Sequence, residues 1–262
     1  MKAAFVTGIE KVEIKEIDKP VISDTEVLIK TKTVGVCGSD LHLFRGTHPF
    51  RHAPAILGHE IAGDVVEIGS KVTNIKVGDR VTVEPQVGCG ECEMCKRGLV
   101  SLCSGKKVPG TPEWIGAFSE YFNADEKTVY KLADQTSYEM GTLAEPLAVA
   151  VHTVNHAETR TGGLVILGAG TIGQLILAVA RKRGYSPIIV TDTAAFNREF
   201  AVKHGADAAL DPVTENIPEK VKEMTGGRGA DLAIIAAGAD NILDQACECV
   251  HKCGEIGIVA MI

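Results

Sequence analysis

The stretch LVILGAGTIG, residues 164–173, decides the fold of the second half of the chain. Its four leading apolar residues have the length and composition of a buried strand, and apolar residues recur at helical spacing from Thr171 to Arg183. The glycines between them follow the pattern G-x-G-x-x-G, which lets the backbone turn sharply and approach an anion at the helix N-terminus. A strand, a glycine turn and a helix in this order predict the first unit of a parallel sheet.

Strand and helix patterns alternate from this stretch to the end of the chain. We predict strands at 187–190, 231–236 and 255–259, and helices near 195–203, 218–224 and 241–251. Such alternation predicts an α/β domain, a doubly wound parallel sheet covered by helices.

A carboxylate near the glycine turn bears on the choice of dinucleotide. Asp192 ends the strand that follows the glycine helix, where it would bind the ribose hydroxyls and repel a 2′-phosphate. This favours NAD over NADP. Arg198 lies six residues later and could stack on adenine or reach a phosphate, which leaves NADP as an alternative.

The first half of the chain is β-rich instead. Short runs of β-branched residues, at 26–31, 61–68 and 79–83, are separated by turn residues. A polar, glycine-bearing connection at 158–162 separates the two halves. We therefore predict a β-rich domain over 1–152 and a dinucleotide-binding domain over 153–262.

Composition limits the compartment and the partners. The chain has 262 residues, 45% of them hydrophobic, a net charge of −7 and a pI near 5.6. This charge offers no positive field to nucleic acid or anionic lipid, so neither is an expected partner. The N-terminus lacks the apolar core of a secretory signal, and clustered cysteines in such a chain hold metal more often than disulfides. We expect a cytoplasmic protein.

Four cysteines form one compact pattern, C-x2-C-x2-C-x7-C, interleaved with glycines. Four thiolates at this spacing can surround one tetrahedral Zn²⁺. Such a site has no open coordination position, so its expected role is to hold a loop together. Clustered structural thiols and an iron–sulfur cluster are the alternatives, and the second lacks the usual ferredoxin spacing. The tetrad consists of Cys89, Cys92, Cys95 and Cys103.

A second set of metal-ligating residue types is spread over three segments: G-V-C-G-S-D-L-H at 35–42, G-H-E at 58–60 and L-A-E-P-L at 143–147. The run G-H-E-x-A-G-x5-G from Gly58 to Gly69, followed by V-G-D-R-V at 77–81, resembles the zinc-dependent medium-chain alcohol dehydrogenase family. With the tetrad and the glycine turn, the resemblance spans essentially the whole chain. It implies a GroES-like catalytic domain followed by a Rossmann domain.

The resemblance implies a catalytic zinc as well as the structural one, and thus two zinc ions per chain. Its ligands would be Cys37, His59 and a carboxylate, with one position open for the substrate oxygen. Where a second cysteine ligand is common in the family, this chain has Glu145, as in the polyol, threonine and butanediol dehydrogenase branches. Either Glu60 or Glu145 would bind the metal, and the sequence leaves that choice open.

The remaining site residues also follow from the resemblance. Ser39 would take the alcohol proton and relay it through the cofactor ribose to His42, and Asp40 would orient the imidazole of His59. The substrate pocket would lie around Phe44 to Phe50 and Trp114. The expected cofactor-binding residues are Gly168, Gly170, Thr171, Ile172, Gly173, Asp192, Arg198, Ala237 and Val259.

These expectations combine into one function. The chain would transfer hydride from a secondary alcohol, a polyol or sugar alcohol, to NAD, with L-threonine and 2,3-butanediol as alternative substrates. A zinc-stabilised dinucleotide-binding protein without turnover and a zinc-free quinone reductase are alternatives of other classes. Family members continue beyond the strand matching 255–259, whereas this sequence ends at residue 262. The resemblance also implies a homo-oligomer, dimer or tetramer, at full length.

Overall fold

The computed structural model describes residues 1–261, and the chain divides into two compact units. The first is Met1–Glu145 and the second begins at Pro146. Helix α4 (Ala144–His156) starts at the end of the first unit and continues into the second. The predicted domain boundary at 152 falls inside this helix, and it stays a prediction.

The first unit is built on antiparallel strands. Its largest sheet has the order β7-β3-β5-β6-β8, and a smaller one has the order β2-β1-β4. The strands are β1 (Lys2–Gly8), β2 (Lys11–Glu16), β3 (Glu26–Gly35), β4 (Ala55–Ile56), β5 (Glu60–Ile68), β6 (Arg80–Val83), β7 (Tyr121–Asp125) and β8 (Val129–Lys131). The helices are α1 (Gly38–Phe44), α2 (Glu93–Lys96) and α3 (Tyr138–Thr142), with 3₁₀ turns at Val100–Leu102 and Glu126–Thr128.

The pairing of β3 with β5 places the site residues described below. Two register shifts interrupt this ladder, between Leu28 and Ile29 and between Thr31 and Thr33. Beyond them the strands run in register to Gly35, which lies opposite Glu60. The end of β3 and the start of β5 are therefore neighbours, and α1 begins only a few residues after β3.

The second unit contains one parallel sheet of five strands in the order β11-β10-β9-β12-β13. Counted along the unit, this is the order 3-2-1-4-5 found in dinucleotide-binding folds. The strands are β9 (Gly162–Leu167), β10 (Tyr185–Thr191), β11 (Ala208–Leu210), β12 (Ala230–Ile235) and β13 (Val250–Ile258). The helices after α4 are α5 (Thr171–Arg183), α6 (Ala195–Lys203), α7 (Ile217–Met224) and α8 (Ile242–Cys249).

Both faces of the parallel sheet are buried, which explains its continuous apolar strands. Successive side chains of β9 point to opposite faces, so Leu164 and Ile166 belong to one core cluster and Val165 and Leu167 to the other. All four are fully buried. Helix α5 packs on the first cluster through Ile176 and its apolar neighbours, as its periodicity predicts.

Helix α4 was not predicted, whereas from β9 onward the predicted elements match the observed ones closely except at β11 and at the junction of α8 with β13. The short strand β11 was not predicted, because its three residues, Ala208 to Leu210, carry too little pattern. The helix predicted over 241–251 ends at Cys249 instead, where β13 begins at once. A register shift in the β12–β13 pairing and a positive φ of 67° at Cys253 mark the irregular start of that strand.

Candidate functional site

Cys37, His59 and Glu60 come together in the first unit. Cys37 precedes the first turn of α1, and His59 and Glu60 lie at the start of β5. One ligand atom from each of the three lies within 4.8 Å of the others, close enough for a single ion. The predicted grouping of a thiol, an imidazole and a carboxylate is thus present in the geometry, with Glu60 as its carboxylate.

A glycine that the sequence analysis did not single out makes room for this carboxylate. Gly35 pairs with Glu60 across the sheet, and a Cβ at residue 35 would lie 1.9 Å from Oε2 of Glu60. Any side chain there would displace the carboxylate. Only the register of β3 against β5 reveals this role, so the sequence offered no signal for it.

Asp40 connects the segments that carry the ligands. Its carboxylate is 4% exposed and accepts hydrogen bonds from the backbone N–H of Cys37, at 3.1 Å, and of Gly58, at 3.4 Å. Its Oδ1 also lies 3.7 Å from Nδ1 of His59. Asp40 therefore faces the imidazole as expected and additionally holds two backbone segments in place.

The charges around the site influence one another strongly. Burial alone would lower the pKa of His59, but the neighbouring Asp40 and Cys37 raise this pKa to about 10. Burial would raise the pKa of the Cys37 thiol, whereas hydrogen bonds with His59 and Ser39 outweigh it and hold the pKa below its ordinary value. The site thus stabilises a thiolate, the form of cysteine that binds metal.

Two further carboxyl groups add to this negative environment. Burial raises the pKa of Glu60, and the nearby Glu145 and Asp40 raise it further, against the attraction of His59. Burial likewise raises the pKa of Glu145. Among the described residues, Glu145 is not a member of the three-residue ligand set, although its carboxyl group is close enough to respond to His59. Two buried carboxyl groups, a half-buried third one and a thiol around one imidazole suit a divalent cation.

The two residues expected to move the proton differ in exposure. Ser39 is half-buried beside the Cys37 sulfur, with which it forms a hydrogen bond. His42 is exposed on α1, and its Nδ1 lies 3.1 Å from the hydroxyl of Thr47. Both lie on the helix that follows Cys37, and their roles in proton transfer stay predictions.

The cysteine tetrad is the second candidate metal site. Ligand atoms of all four cysteines lie within 4.8 Å of one another, and the backbone N–H groups of residues 89, 92 and 95 point to sulfur atoms within the cluster. Gly88 leaves room for Cys95, because a Cβ there would lie 2.7 Å from the sulfur. The arrangement fits one tetrahedral ion with four sulfur ligands.

The glycine turn in the second unit has the geometry that its pattern predicts. Gly168 has a φ of 105°, and a Cβ at Gly173 would lie 1.9 Å from the carbonyl oxygen of Gly168. A Cβ at Gly170 would meet no atom within 4 Å, so the space above this residue is open. The turn is therefore closed against the helix by Gly173 and open to a ligand at Gly170. Thr171 is exposed at the start of α5, and Ile172 packs on the core.

Asp192 lies beside this turn. Its carboxylate accepts hydrogen bonds from the N–H of Ala169 at 2.9 Å, the N–H of Ala194 at 2.8 Å and the amide of Asn197 at 3.1 Å. A carboxylate has about four acceptor positions, so roughly one remains for a ribose hydroxyl. Arg198 donates to the carbonyl oxygens of Asp192 and Thr193 and forms an ion pair with Asp211. Asn197 and Asp211 were not predicted, since only the fold brings them to Asp192.

Other expected residues fall in different surroundings. Ala237 adjoins the glycine turn, where a Cβ on Gly168 would lie 2.6 Å from that of Ala237, and the half-buried Val259 packs on the core. Trp114, which was expected near the substrate pocket, belongs to a core cluster of the first unit, and its part in a pocket stays a prediction. Its ring is 6% exposed, stacks on Phe122 and donates to the carbonyl oxygen of Asn123 at 2.7 Å. Burial of this large aromatic ring removes apolar surface from water, while its N–H group keeps a hydrogen-bond partner.

Comparison with known proteins assigns the chain to a family. A family model described as alcohol dehydrogenase GroES-like domain matches residues 23–134, and one described as zinc-binding dehydrogenase matches residues 171–262. Sorbitol dehydrogenase of Bacillus subtilis is 37% identical over 265 residues, covering 100% of this chain and 75% of that protein. The chain belongs to the zinc-dependent medium-chain alcohol dehydrogenase family. The predicted resemblance, the fold class and the enzyme class of this dehydrogenase are thereby confirmed.

Two further relatives describe the range of the family. L-Threonine 3-dehydrogenase of Pyrococcus horikoshii is 36% identical and covers 95% of this chain and 72% of its own. A zinc-binding dehydrogenase of Sinorhizobium meliloti, solved with NADP bound, has a TM-score of 0.91 and 30% identity, covering 100% of this chain and 77% of that one. Family and neighbours support zinc and a nicotinamide cofactor for this dehydrogenase, with a small alcohol as substrate. In residues 1–261 no helix is long and apolar enough to cross a membrane.

Proposed function

We propose that this dehydrogenase oxidises a secondary alcohol group of a polyol or sugar alcohol to a ketone, with NAD as the hydride acceptor. The observation that carries the proposal is the grouping of Cys37, His59 and Glu60 within 4.8 Å. Three protein ligands leave one position of a tetrahedral zinc site open, which a binding protein without turnover does not need. The sorbitol dehydrogenase relative supports a polyol over other alcohols.

Each residue of the site has a proposed part in the reaction. When bound, zinc supplies the Lewis acidity that lowers the pKa of the substrate hydroxyl, and NAD accepts the hydride. Asp40 holds His59 in the orientation that metal binding needs, and Glu60 completes the ligand set. Glu145 is the alternative carboxylate ligand. Ser39 accepts the hydroxyl proton at Oγ as it releases its own proton toward His42, and the exposed His42 takes up this proton and passes it to solvent.

We further propose two zinc ions per chain and a preference for NAD over NADP. The tetrad supports the second ion, because its four sulfur atoms already surround one point. Asp192 supports NAD, since a carboxylate at the ribose repels a 2′-phosphate. The NADP-bound relative keeps NADP as the alternative cofactor. None of the eight cysteines forms a disulfide within the described residues, which supports the proposed reducing, cytoplasmic location. A homo-oligomeric state stays a prediction.

A substrate panel tests the proposal. The enzyme is incubated with NAD and, separately, sorbitol, xylitol, 2,3-butanediol, L-threonine and ethanol, while absorbance of the reduced nicotinamide is followed. We expect the largest kcat/KM with a polyol. A larger value with L-threonine would favour the second candidate, which the Pyrococcus relative supports. Turnover of no alcohol, with zinc and NAD both bound, would instead indicate a dinucleotide-binding protein.

Elemental analysis separates the remaining alternatives. Two zinc ions per chain support the proposed enzyme, and one would leave only the structural tetrad. A chain that binds none and reduces quinones would contradict the proposal entirely. The matched variant Cys37→Ser should lose one ion and the dehydrogenase activity, whereas Cys247→Ser, an exposed cysteine outside both clusters, should lose neither.

A further inference from the structure

Arg198 lies close to Asp192, the residue of the proposed ribose site, and both terminal nitrogens of its guanidinium contact oxygen atoms of the protein. Nη1 donates to the carbonyl oxygens of Asp192, at 2.7 Å, and Thr193, at 2.9 Å. Nη2 lies 3.1 Å from Oδ2 of Asp211, and the side chain is only 20% exposed. The guanidinium is thus held against the strand end that carries Asp192, with its charge compensated by another carboxylate.

Asp211 is itself fixed in the orientation that this ion pair requires. It follows β11, and its Oδ1 accepts a hydrogen bond from the N–H of Val213 at 3.0 Å. Its other oxygen, Oδ2, therefore faces Arg198. The side chain is 21% exposed, so solvent screens this pair less than a pair on the open surface. Asp211 is a preorganised partner for Arg198 rather than a mobile one.

We propose that Asp211 determines the dinucleotide preference by holding Arg198 away from the 2′ position of the ribose. This inference rests on the proposed function, which makes NAD the cofactor. The carboxylate of Asp211 compensates the charge of the guanidinium, and the carboxylate of Asp192 lies at the glycine turn, so the charge left there is negative and repels a 2′-phosphate. Without its partner, Nη2 of Arg198 loses its ion pair, and a guanidinium with unpaired N–H donors binds a phosphate well. Asp211 is thus a positioning residue that acts through Arg198.

The variant Asp211→Asn tests this inference with little change in shape. The asparagine Oδ1 still accepts from Val213, which preserves the turn, whereas its NH₂ group replaces Oδ2 and presents a donor to the donors of Arg198. We expect the Kd of NADP to fall by about tenfold or more, while the Kd of NAD changes by less than about threefold. Isothermal titration with NAD, NADP and adenosine 2′,5′-bisphosphate measures this without turnover.

Two controls locate the effect. In the double variant Asp211→Asn with Arg198→Gln, the gain for NADP should disappear, because the guanidinium that would bind the phosphate is gone. Asp207→Asn is the matched control, since Asp207 precedes β11, as Asp211 follows it, and pairs with Arg181 at 2.7 Å. That variant should leave the ratio of the two Kd values unchanged. Asp211→Ser, which removes the carboxylate differently, should repeat the gain if the asparagine variant folds poorly.

The outcomes distinguish this inference from the proposed function. If the wild type binds NAD selectively and neither Asp211 variant strengthens NADP binding, the role of Asp211 is refuted and the proposed function stands. If the gain persists without the guanidinium of Arg198, the mechanism through Arg198 is refuted. A wild type that binds NADP more tightly than NAD, or binds neither, refutes both the inference and the proposed cofactor.

Discussion

The two cysteine-containing sites of the first unit are assembled in opposite ways. The tetrad takes all its ligands from one loop, between Cys89 and Cys103, and Cys89 is exposed at its edge. The site of Cys37, His59 and Glu60 draws its ligands from separate segments and lies around the buried Asp40. The first is therefore specified by spacing and local turns, whereas the second is specified by strand register and a buried carboxylate.

This difference means that the two sites should fail independently. A substitution in the β3–β5 ladder should abolish metal binding at Cys37, His59 and Glu60 and leave the tetrad unaffected. A substitution in the loop from Cys89 to Cys103 should have the opposite effect. Metal content per chain reports both at once.

The largest effect is expected from Gly35→Ala. The new Cβ would overlap the Glu60 carboxylate, so we expect the loss of one zinc per chain and a fall in kcat/KM of more than about a hundredfold, as for a misplaced reacting group. Gly38→Ala is the control for metal content, because a Cβ there meets no atom within 4 Å. Two zinc ions in the Gly35 variant would contradict the packing argument.

Asp40→Asn should have the next largest effect. It removes the negative charge beside His59 and one of the two oxygens that hold the backbone N–H groups of Cys37 and Gly58. We expect the affinity for zinc at the site of Cys37, His59 and Glu60 to fall by about 10- to 100-fold, as measured by competition with a chelator. The matched variant Asp24→Asn, at an exposed ion pair with Lys71, should leave the affinity unchanged. Unaltered affinity in the Asp40 variant would show that the carboxylate does not support the ligands.

Cys103→Ser tests the tetrad. Cys103 is the buried member, at 3% exposure, so we expect the loss of one zinc and a Tm lower by roughly 5 to 10 °C, since loss of a structural metal costs several kcal/mol. Cys37, His59 and Glu60 are unchanged, and activity at low temperature should persist. An equal loss of both ions would mean that the two sites are coupled rather than independent.

The smallest effect concerns the second unit, where the described residues contain no candidate metal cluster. Burial raises the pKa of Asp231, but hydrogen bonds from Gly163 and His251 and the charge of Arg228 hold it below its ordinary value of 3.8. Because the folded pKa is depressed, this stabilisation is present above that value and is lost as the pH falls through the folded pKa.

Asp231→Asn should therefore lower the unfolding free energy by about 1 to 3 kcal/mol at neutral pH and flatten its decline in acid. Urea unfolding measured at several values between neutral pH and the acid limit gives both quantities, with the exposed Asp240→Asn as control. A slope in acid identical to that of the wild type would contradict the contribution of Asp231.

The same contrast explains how far the sequence could predict the structure. The tetrad, the glycine turn and helix α5 follow from local spacing and periodicity, so their residues were identified in advance. Gly35 and Asp211 were missed, since their partners, Glu60 and Arg198, lie on other strands or helices. Residues that act through local geometry are predictable, and those that act across a sheet need the fold.

The pairing of Gly35 with Glu60 has a consequence for how the two strands find their register during folding. A slip of one residue between β3 and β5 would bring Ile61 opposite Gly35 and turn every side chain of the slipped strand to the other face. Such a chain would present a hydrocarbon where the ion needs an oxygen. Metal binding at Cys37, His59 and Glu60 would therefore favour the observed register of β3 and β5 over the slipped one.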